Sequence, residues 1–287
     1  MRPVPRARLR QPVRSSLVPA LLLAAALVAA PESLLAARPE PPLCTPQVFC
    51  SDPRGCPDFA VDPGVLTNVF YDVHTFAADD CAVGEGMVAA GTRKLILFVT
   101  QINNIGAGDL VLGNPLDHPE WFDLETCHGH PHIKDYADYR LWTVAGYDTW
   151  TALRAANPGL CAQQVLDANP DLATQLVKGA KRGFCFFDVV LMGEIASATQ
   201  ACPSAPDPQK YFDCDNGGLS VCWADVYEPI YGVIDGQWID VTDVPDGDYF
   251  LENEANAKRL MTEADYTNNA AAVKIRIMRG RVRVLRR

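Results

Sequence analysis

Ten cysteines punctuate a chain of 287 residues, and none lies before residue 44. They stand at positions 44, 50, 56, 81, 127, 161, 185, 202, 214 and 222. A zinc ribbon would need two close C-x-x-C pairs, and the chain has none. An even count in an exported chain reads as a disulfide framework, with up to five bridges for ten cysteines. Such a framework favours short elements stapled together over long free helices. The 22 prolines and 20 glycines point the same way, toward turns and strands.

The N-terminus supports export. Arg2, Arg6, Arg8, Arg10 and Arg14 form a basic leader, Leu17 to Ala30 is apolar, and small residues follow at Ala29-Ala30 and Ala36-Ala37. Residues 1–37 are read as a secretory signal peptide. The apolar run is shorter than the roughly 20 residues of a membrane span, so no stable membrane insertion is expected after cleavage. Localisation is expected to be secreted, periplasmic or cell-surface, by a bacterial type of export route. Removing this basic leader takes the formal charge from −10 to −14. An acidic surface disfavours nucleic acid and attracts cations, amines included.

The rest divides in three. Residues 38–65 are rich in Pro and Cys and read as an extended segment stapled to the body. Residues 66–278 carry the strand patterns and form the expected catalytic domain. Residues 279–287 are a basic tail, expected to fray. Strands are expected at Lys94 to Gln101, Asp109 to Gly113, Tyr139 to Val144, Phe184 to Met192 and Gln237 to Val241. Pro245-Asp246-Gly247 has the chemistry of a turn, predicting a hairpin in which Tyr249 to Glu252 returns along Gln237 to Val241. Val273, Ile275 and Ile277 alternate with Lys274 and Arg276, the signature of a half-buried strand. Thr149 to Val177 reads as a helical insertion, with Asp171 to Lys178 one short helix, and 196–210 as a loop. The fold class is mostly β: a single, disulfide-stapled, sandwich-like domain with helical or irregular insertions.

Three of the five histidines fall in Cys127-His128-Gly129-His130-Pro131-His132. In an extended segment, positions i, i+2 and i+4 share one face. A flat strand would separate the outer two Cα atoms by roughly 13 Å. The segment must bend for all three rings to reach one ion, and Gly129 and Pro131 permit the bend. An all-imidazole set suits Cu, Zn, Fe or Ni.

The motif resembles the copper motif of the lysyl oxidase family, a Cys followed by His-x-His-x-His. Lys181-Arg182-Gly183-Phe184-Cys185 resembles the family's Lys-x-x-Phe-Cys. Gly218-Leu219-Ser220 with Trp223-Ala224-Asp225-Val226-Tyr227 resembles the segment of its cofactor tyrosine. Gln237 to Val244 and Asp265-Tyr266-Thr267-Asn268-Asn269 are similar to further signatures. These blocks keep their order over about residues 66–278. The resemblance implies a mostly-β fold, copper held by His128, His130 and His132, and a lysine tyrosylquinone built from Lys181 and Tyr227. Lys178 is the nearest competitor of Lys181, and Tyr231 of Tyr227.

The chain also departs from the animal pattern. Glu125 and Ala180 stand where those members have histidines. Gly236 stands where they have a Cys, which leaves Cys222 needing another partner, with Cys161 a candidate. The pairings the resemblance implies are Cys127–Cys214 and Cys185–Cys202.

The implied activity is oxidation of a primary amine, including peptidyl lysine, to an aldehyde. Ammonia and hydrogen peroxide are released, and molecular oxygen is the oxidant. The quinone is the electron sink, while the protein supplies orientation and electrostatics. Asp225, Asp240 and Asp243 are candidate bases, because a carboxylate in a dry site is tuned upward. The alternative is a secreted copper-binding module of the same fold without catalysis. No nucleophile elbow, phosphate loop or HExxH sequence appears.

Overall fold

The computed structural model describes residues 44–124, 129–179, 185–229 and 236–285. In chain order the first strands are β1 (Phe59–Val61), β2 (Val69–Phe76), β3 (Gly91–Phe98), β4 (Thr100–Asn104), β5 (Leu110–Gly113), β6 (Phe122–Asp123), β7 (His132–Ile133) and β8 (Ala137–Thr143). Then come β9 (Leu176–Lys178), β10 (Val190–Leu191), β11 (Gly217–Leu219), β12 (Trp223–Tyr227), β13 (Trp238–Asp240), β14 (Gly247–Ala255), β15 (Ala270–Ile277) and β16 (Val282–Val284). Three sheets dominate, ordered β1-β4-β12-β10, β13-β3-β2 and β16-β15-β14-β8-β9, with small ribbons β11-β5 and β6-β7. Among the described residues, all pairings within them are antiparallel.

The main core forms where alternating apolar residues of these sheets meet. Phe59 and Val61 of β1, Ile96 and Phe98 of β3, Ile102 of β4, Leu141 of β8, Leu251 of β14 and Ile275 of β15 all lie in it. The alternation at Val273, Ile275 and Ile277 is the clearest case: all three are buried, while Lys274 and Arg276 are half-buried.

The opposite face of β8 and β14 carries a second core under the two helices that follow the short α1 (Cys81–Gly84), namely α2 (Val144–Ala156) and α3 (Ala162–Asp167). Thr143 starts α2 by accepting the Gly146 N–H at 3.0 Å, an N-cap bond. Trp142 and Trp150 stack with centroids 5.1 Å apart, and both indole N–H groups donate to Glu252 at 2.9 Å. Arg140, with no exposed surface, donates to Glu254 at 2.6 Å, Asp138 at 2.7 Å and Glu252 at 3.2 Å. Burial pulls its guanidinium down, but Glu254, Asp138 and Glu252 outweigh burial and hold it above its ordinary value. Arg140 is therefore a charged strut inside the domain.

Several elements depart from the sequence-based expectations. Lys94 to Gln101 is not one strand; the chain breaks at Val99 between β3 and β4. Of the expected strand Phe184 to Met192, Phe184 lies outside the described residues and only Val190–Leu191 is extended pairing. The helical stretch ends at Gln175, and Leu176–Lys178 is a strand against β8. The Pro245-Asp246-Gly247 turn does not join partner strands: β13 pairs with β3, and β14 with β15 and β8. A local turn signal says nothing about which non-local edge a strand will choose. Within the Pro- and Cys-rich segment, β1 joins the β4 edge. The C-terminal tail does not simply fray, since β16 pairs with β15.

The implied disulfides are also corrected. Cys185 pairs with Cys214, Cys202 with Cys222, Cys44 with Cys161 and Cys50 with Cys56, and Cys81 is bridged as well. Neither Cys127–Cys214 nor Cys185–Cys202 forms, and Cys161 is not the partner of Cys222; Cys127 lies outside the described residues. The cause is local. Gly218 N–H donates to the Phe186 carbonyl at 2.8 Å, which draws the Cys214 loop onto Cys185. Their Cα atoms are 5.1 Å apart, within bridging range.

Two stability measurements follow from these buried charges. Arg140→Ala leaves Glu252 buried without its cation and Glu254 with Arg154 alone, at 2.7 Å, so urea denaturation should show a loss of about 3–5 kcal/mol. Glu263 accepts Asn256 Nδ2 and Asn269 Nδ2, each at 2.7 Å, and Phe59 N at 3.0 Å. Burial nonetheless pushes its carboxyl up to about 8 from 4.5. A raised acid contributes stability that is fully present below about 4.5 and lost as pH rises toward 8. The melting temperature of Glu263→Gln should therefore gain on the parent's across that window; a constant difference would contradict the shift.

Candidate metal and cofactor site

The histidine segment is held by a two-stranded ribbon. Strand β7 pairs with β6, placing Asp123 opposite His132 and Phe122 opposite Ile133. Phe122 and Ile133 enter the main core, which anchors the ribbon by its apolar face. Gly129 adopts φ of 77°, a left-handed value that suits glycine and turns the chain just before His130. His130 is half-buried and His132 is buried. Their Nε2 atoms lie 3.2 Å apart, with ring centroids 4.8 Å apart.

That spacing is a test of metal fit. Two nitrogens each about 2.0–2.1 Å from one ion and separated in this way subtend about 100° at it, an ordinary ligand angle. Imidazole is a donor that suits copper. The pair therefore fits a shared ion. His128, the third expected ligand, lies outside the described residues. Among the described residues no group of three His, Cys, Asp or Glu side chains is placed to hold a metal. The other two histidines pack on aromatic rings: His74 edge-on to Phe76 and His118 stacked on Trp121.

Tyr227 ends β12, in register with Thr100 of β4. Its hydroxyl donates to the Cys185 carbonyl at 2.6 Å. The Cys185 sulfur lies 3.8 Å from the carbonyl oxygen of Pro131, between the two histidines. Cys185 is thus the joint at which the tyrosine strand meets the histidine ribbon. Lys181 lies outside the described residues, as does Tyr231. Lys178 ends β9 in register with Arg140.

The three candidate carboxylates separate clearly. Asp240 accepts the Thr242 N–H and hydroxyl at 2.9 and 2.5 Å and lies 3.9 Å from Arg93, so it serves a turn. Asp243 is exposed. Asp225 has no exposed surface and shares the Tyr227 face of β12, with Val226 pointing the other way. Its Oδ2 accepts the hydroxyl of Tyr136. Burial, then the nearby Asp225, holds the Tyr136 phenol well above its ordinary value, so it stays a donor. The Tyr136 ring stands edge-on to Phe186 at 4.7 Å and to Tyr227 at 6.5 Å.

Sequence reasoning did not single out Tyr136 or the carbonyl of Cys185. A tyrosine four residues past a histidine motif has no periodic signature, and a main-chain acceptor has none at all.

These features define a class: a mostly-β, disulfide-stapled domain with an imidazole pair on one ribbon and a strand tyrosine, both in contact with the same cysteine. The lysyl oxidase family model matches residues 160–286, a span that includes Lys181 and Tyr227 and begins after the histidine motif. Lysyl oxidase homolog 2 of Bos taurus is 29% identical over 210 residues, covering 68% of this chain and 21% of that protein. Lysyl oxidase homolog 2 of Gallus gallus is 30% identical over 194 residues, 66% of this chain and 19% of that one. Lysyl oxidase homolog 3 of Homo sapiens is 28% identical over 204 residues, 66% and 21% respectively. Residues 160–286 match the lysyl oxidase family, and the curated relatives support the same family. The chain spans about a fifth of the length of these relatives.

Removing either imidazole tests the metal fit. His130→Ala and His132→Ala should each weaken copper binding by more than about 100-fold, beyond the usual loss for an outer-shell change. His118→Ala should leave it unchanged. Competition titration against a chelator of known affinity reads all three.

Proposed function

We propose that this chain is an exported, copper-dependent amine oxidase that converts primary amines, peptidyl lysine among them, to aldehydes with release of ammonia and hydrogen peroxide. Residues 66–278 are its catalytic domain and residues 1–37 its signal peptide. His128, His130 and His132 hold the copper. Lys181 and Tyr227 supply the lysine tyrosylquinone, which serves as the electron sink for amine oxidation with molecular oxygen as oxidant.

The observation that carries this reading is the double contact of Cys185, whose carbonyl takes the Tyr227 hydroxyl and whose sulfur abuts Pro131. It ties Tyr227 and Pro131, the residue between the two imidazoles, to one cysteine, although 95 residues separate Tyr227 from His132. Four peptide links join Cys185 to Lys181.

The chain's own residues then have distinct tasks. The Cys185 carbonyl orients the Tyr227 ring by its hydroxyl. Tyr136, buried and edge-on to that ring, excludes water from one side of it. The acidic surface raises the local concentration of ammonium substrates, while the amine must lose a proton to react.

Phenylhydrazine labelling of the secreted, copper-loaded protein tests the reading. A coloured adduct in the parent, absent from Lys181→Ala and Tyr227→Phe, is the expected result. A copper-loaded, fully disulfide-bonded parent without an adduct would identify a copper-binding module instead.

A further inference from the structure

We propose that the buried Tyr136–Asp225 hydrogen bond is a clamp that positions the histidine ribbon against the tyrosine strand, so that copper acts on Tyr227. The proposal rests on the amine-oxidase reading and adds two positioning residues to it. Tyr136 lies four residues beyond His132, and Asp225 two residues before Tyr227. A single bond between them therefore links the two functional segments directly.

The surroundings make this bond rigid. On one side, Asn256 N–H donates to the Tyr136 carbonyl at 2.9 Å, and Lys258 pairs with Asp135 at 2.5 Å. The backbone leaving the histidine ribbon is thus fixed to the residues that follow β14. On the other side, the Tyr136 ring packs on Phe186, which itself packs on Phe59 of β1 with centroids 5.4 Å apart. The hydroxyl can reach only inward, and it finds Asp225. Asp225 belongs to β12, whose register with β4 is fixed by the pairs Ala224–Asn103, Asp225–Ile102, Val226–Gln101 and Tyr227–Thr100. A strand with four paired positions does not slide, so the clamp transmits the position of the ribbon to Tyr227.

The Cys185 contacts alone leave this relation loose. The Cys185 sulfur meets Pro131 across 3.8 Å, a packing contact rather than a directional bond, since the sulfur is committed to Cys214. The Tyr136–Asp225 bond supplies the missing direction. Its two ends are also buried, at 1% and 0% exposure, where water cannot compete for either group. Catalysis falls steeply with misplacement of this kind; an error of about 1 Å can cost on the order of 100-fold.

The test compares full-length parent, Tyr136→Phe, Asp225→Leu and Asp225→Asn, each copper-loaded. Three readouts are taken: copper stoichiometry, melting temperature and the rate at which phenylhydrazine-reactive cofactor appears after copper is added. Tyr136→Phe keeps the ring on Phe186 and removes only the donor. The expected result is parental copper stoichiometry with cofactor appearing at least about tenfold more slowly in Tyr136→Phe and Asp225→Leu. Asp225→Asn still offers an oxygen to the Tyr136 hydroxyl and should stay within about threefold of the parent, a rescue that a role in charge alone would not give. Parental rates in Tyr136→Phe, or failure of Asp225→Asn to recover the rate, would overturn the clamp. Should Tyr136→Phe or Asp225→Leu not fold, the Asp225→Asn rate still decides by the same threshold. A parent that binds copper yet never forms an adduct overturns the amine-oxidase reading itself, and with it the clamp.

Discussion

Cys185 is the position on which the arrangement of this domain turns. The disulfide to Cys214 fixes its sulfur, its carbonyl receives the Tyr227 hydroxyl, and the same sulfur rests on the Pro131 carbonyl. A covalent bond is needed at such a joint because the neighbouring chain has little regular structure: only Val190–Leu191 pairs as a strand between Cys185 and Gly217. Side chains tie the rest of that loop down. Asp188 accepts from Ser220 N and Oγ and from Tyr211 N, at 2.7–3.0 Å. Asp62 takes up Thr199 and Gln200 in the same manner. Buried carboxylates with several donors each replace the backbone ladder that a strand would have provided.

The stable part of the molecule lies behind this irregular front. Strands β8 and β14 carry both cores, one on each face, and the charged strut of Arg140 runs through the helical side. Arg140 is not the cheapest way to fill that space, since apolar residues of similar volume often do as well or better. What it adds is register: it contacts Asp138 on its own strand and Glu252 and Glu254 on the next, and a slip of one residue between the strands would break its pairs with Glu252 and Glu254. The long strands hold their register through charge as well as through apolar alternation.

Much of this was legible in the sequence, but unevenly. Alternation at Val273, Ile275 and Ile277 identified a strand because one face of β15 is buried, and period-two patterning reports burial directly. Gln237 to Val241 was recognisable as a strand for its composition, yet its partner was not, because pairing depends on edges that the local sequence does not encode. Disulfide connectivity failed for the same reason: Cys185, Cys202, Cys214 and Cys222 are close in the chain, and only the three-dimensional course of the 196–216 loop selects which meet. At the site, the histidine spacing and the tyrosine context were readable because they are sequence-local. The contribution of Cys185 was not, since a carbonyl oxygen has no residue type, and Tyr136 was not, since nothing near it in sequence needs a phenol.

Asp225 shows why function and stability have to be read together. A carboxylate with no exposed surface is a costly group to bury, and the phenol donor offsets part of the loss of water. If packing alone were required beneath Tyr227, a leucine would satisfy the core around Ile102 and Phe186 at lower cost. An apolar residue, however, would leave the Tyr136 hydroxyl without its acceptor and free the ring to move with the histidine ribbon. The carboxylate converts a soft apolar contact into one with a fixed direction. Specificity of position, rather than net stability, is what the buried pair contributes to the proposed arrangement of imidazoles and tyrosine.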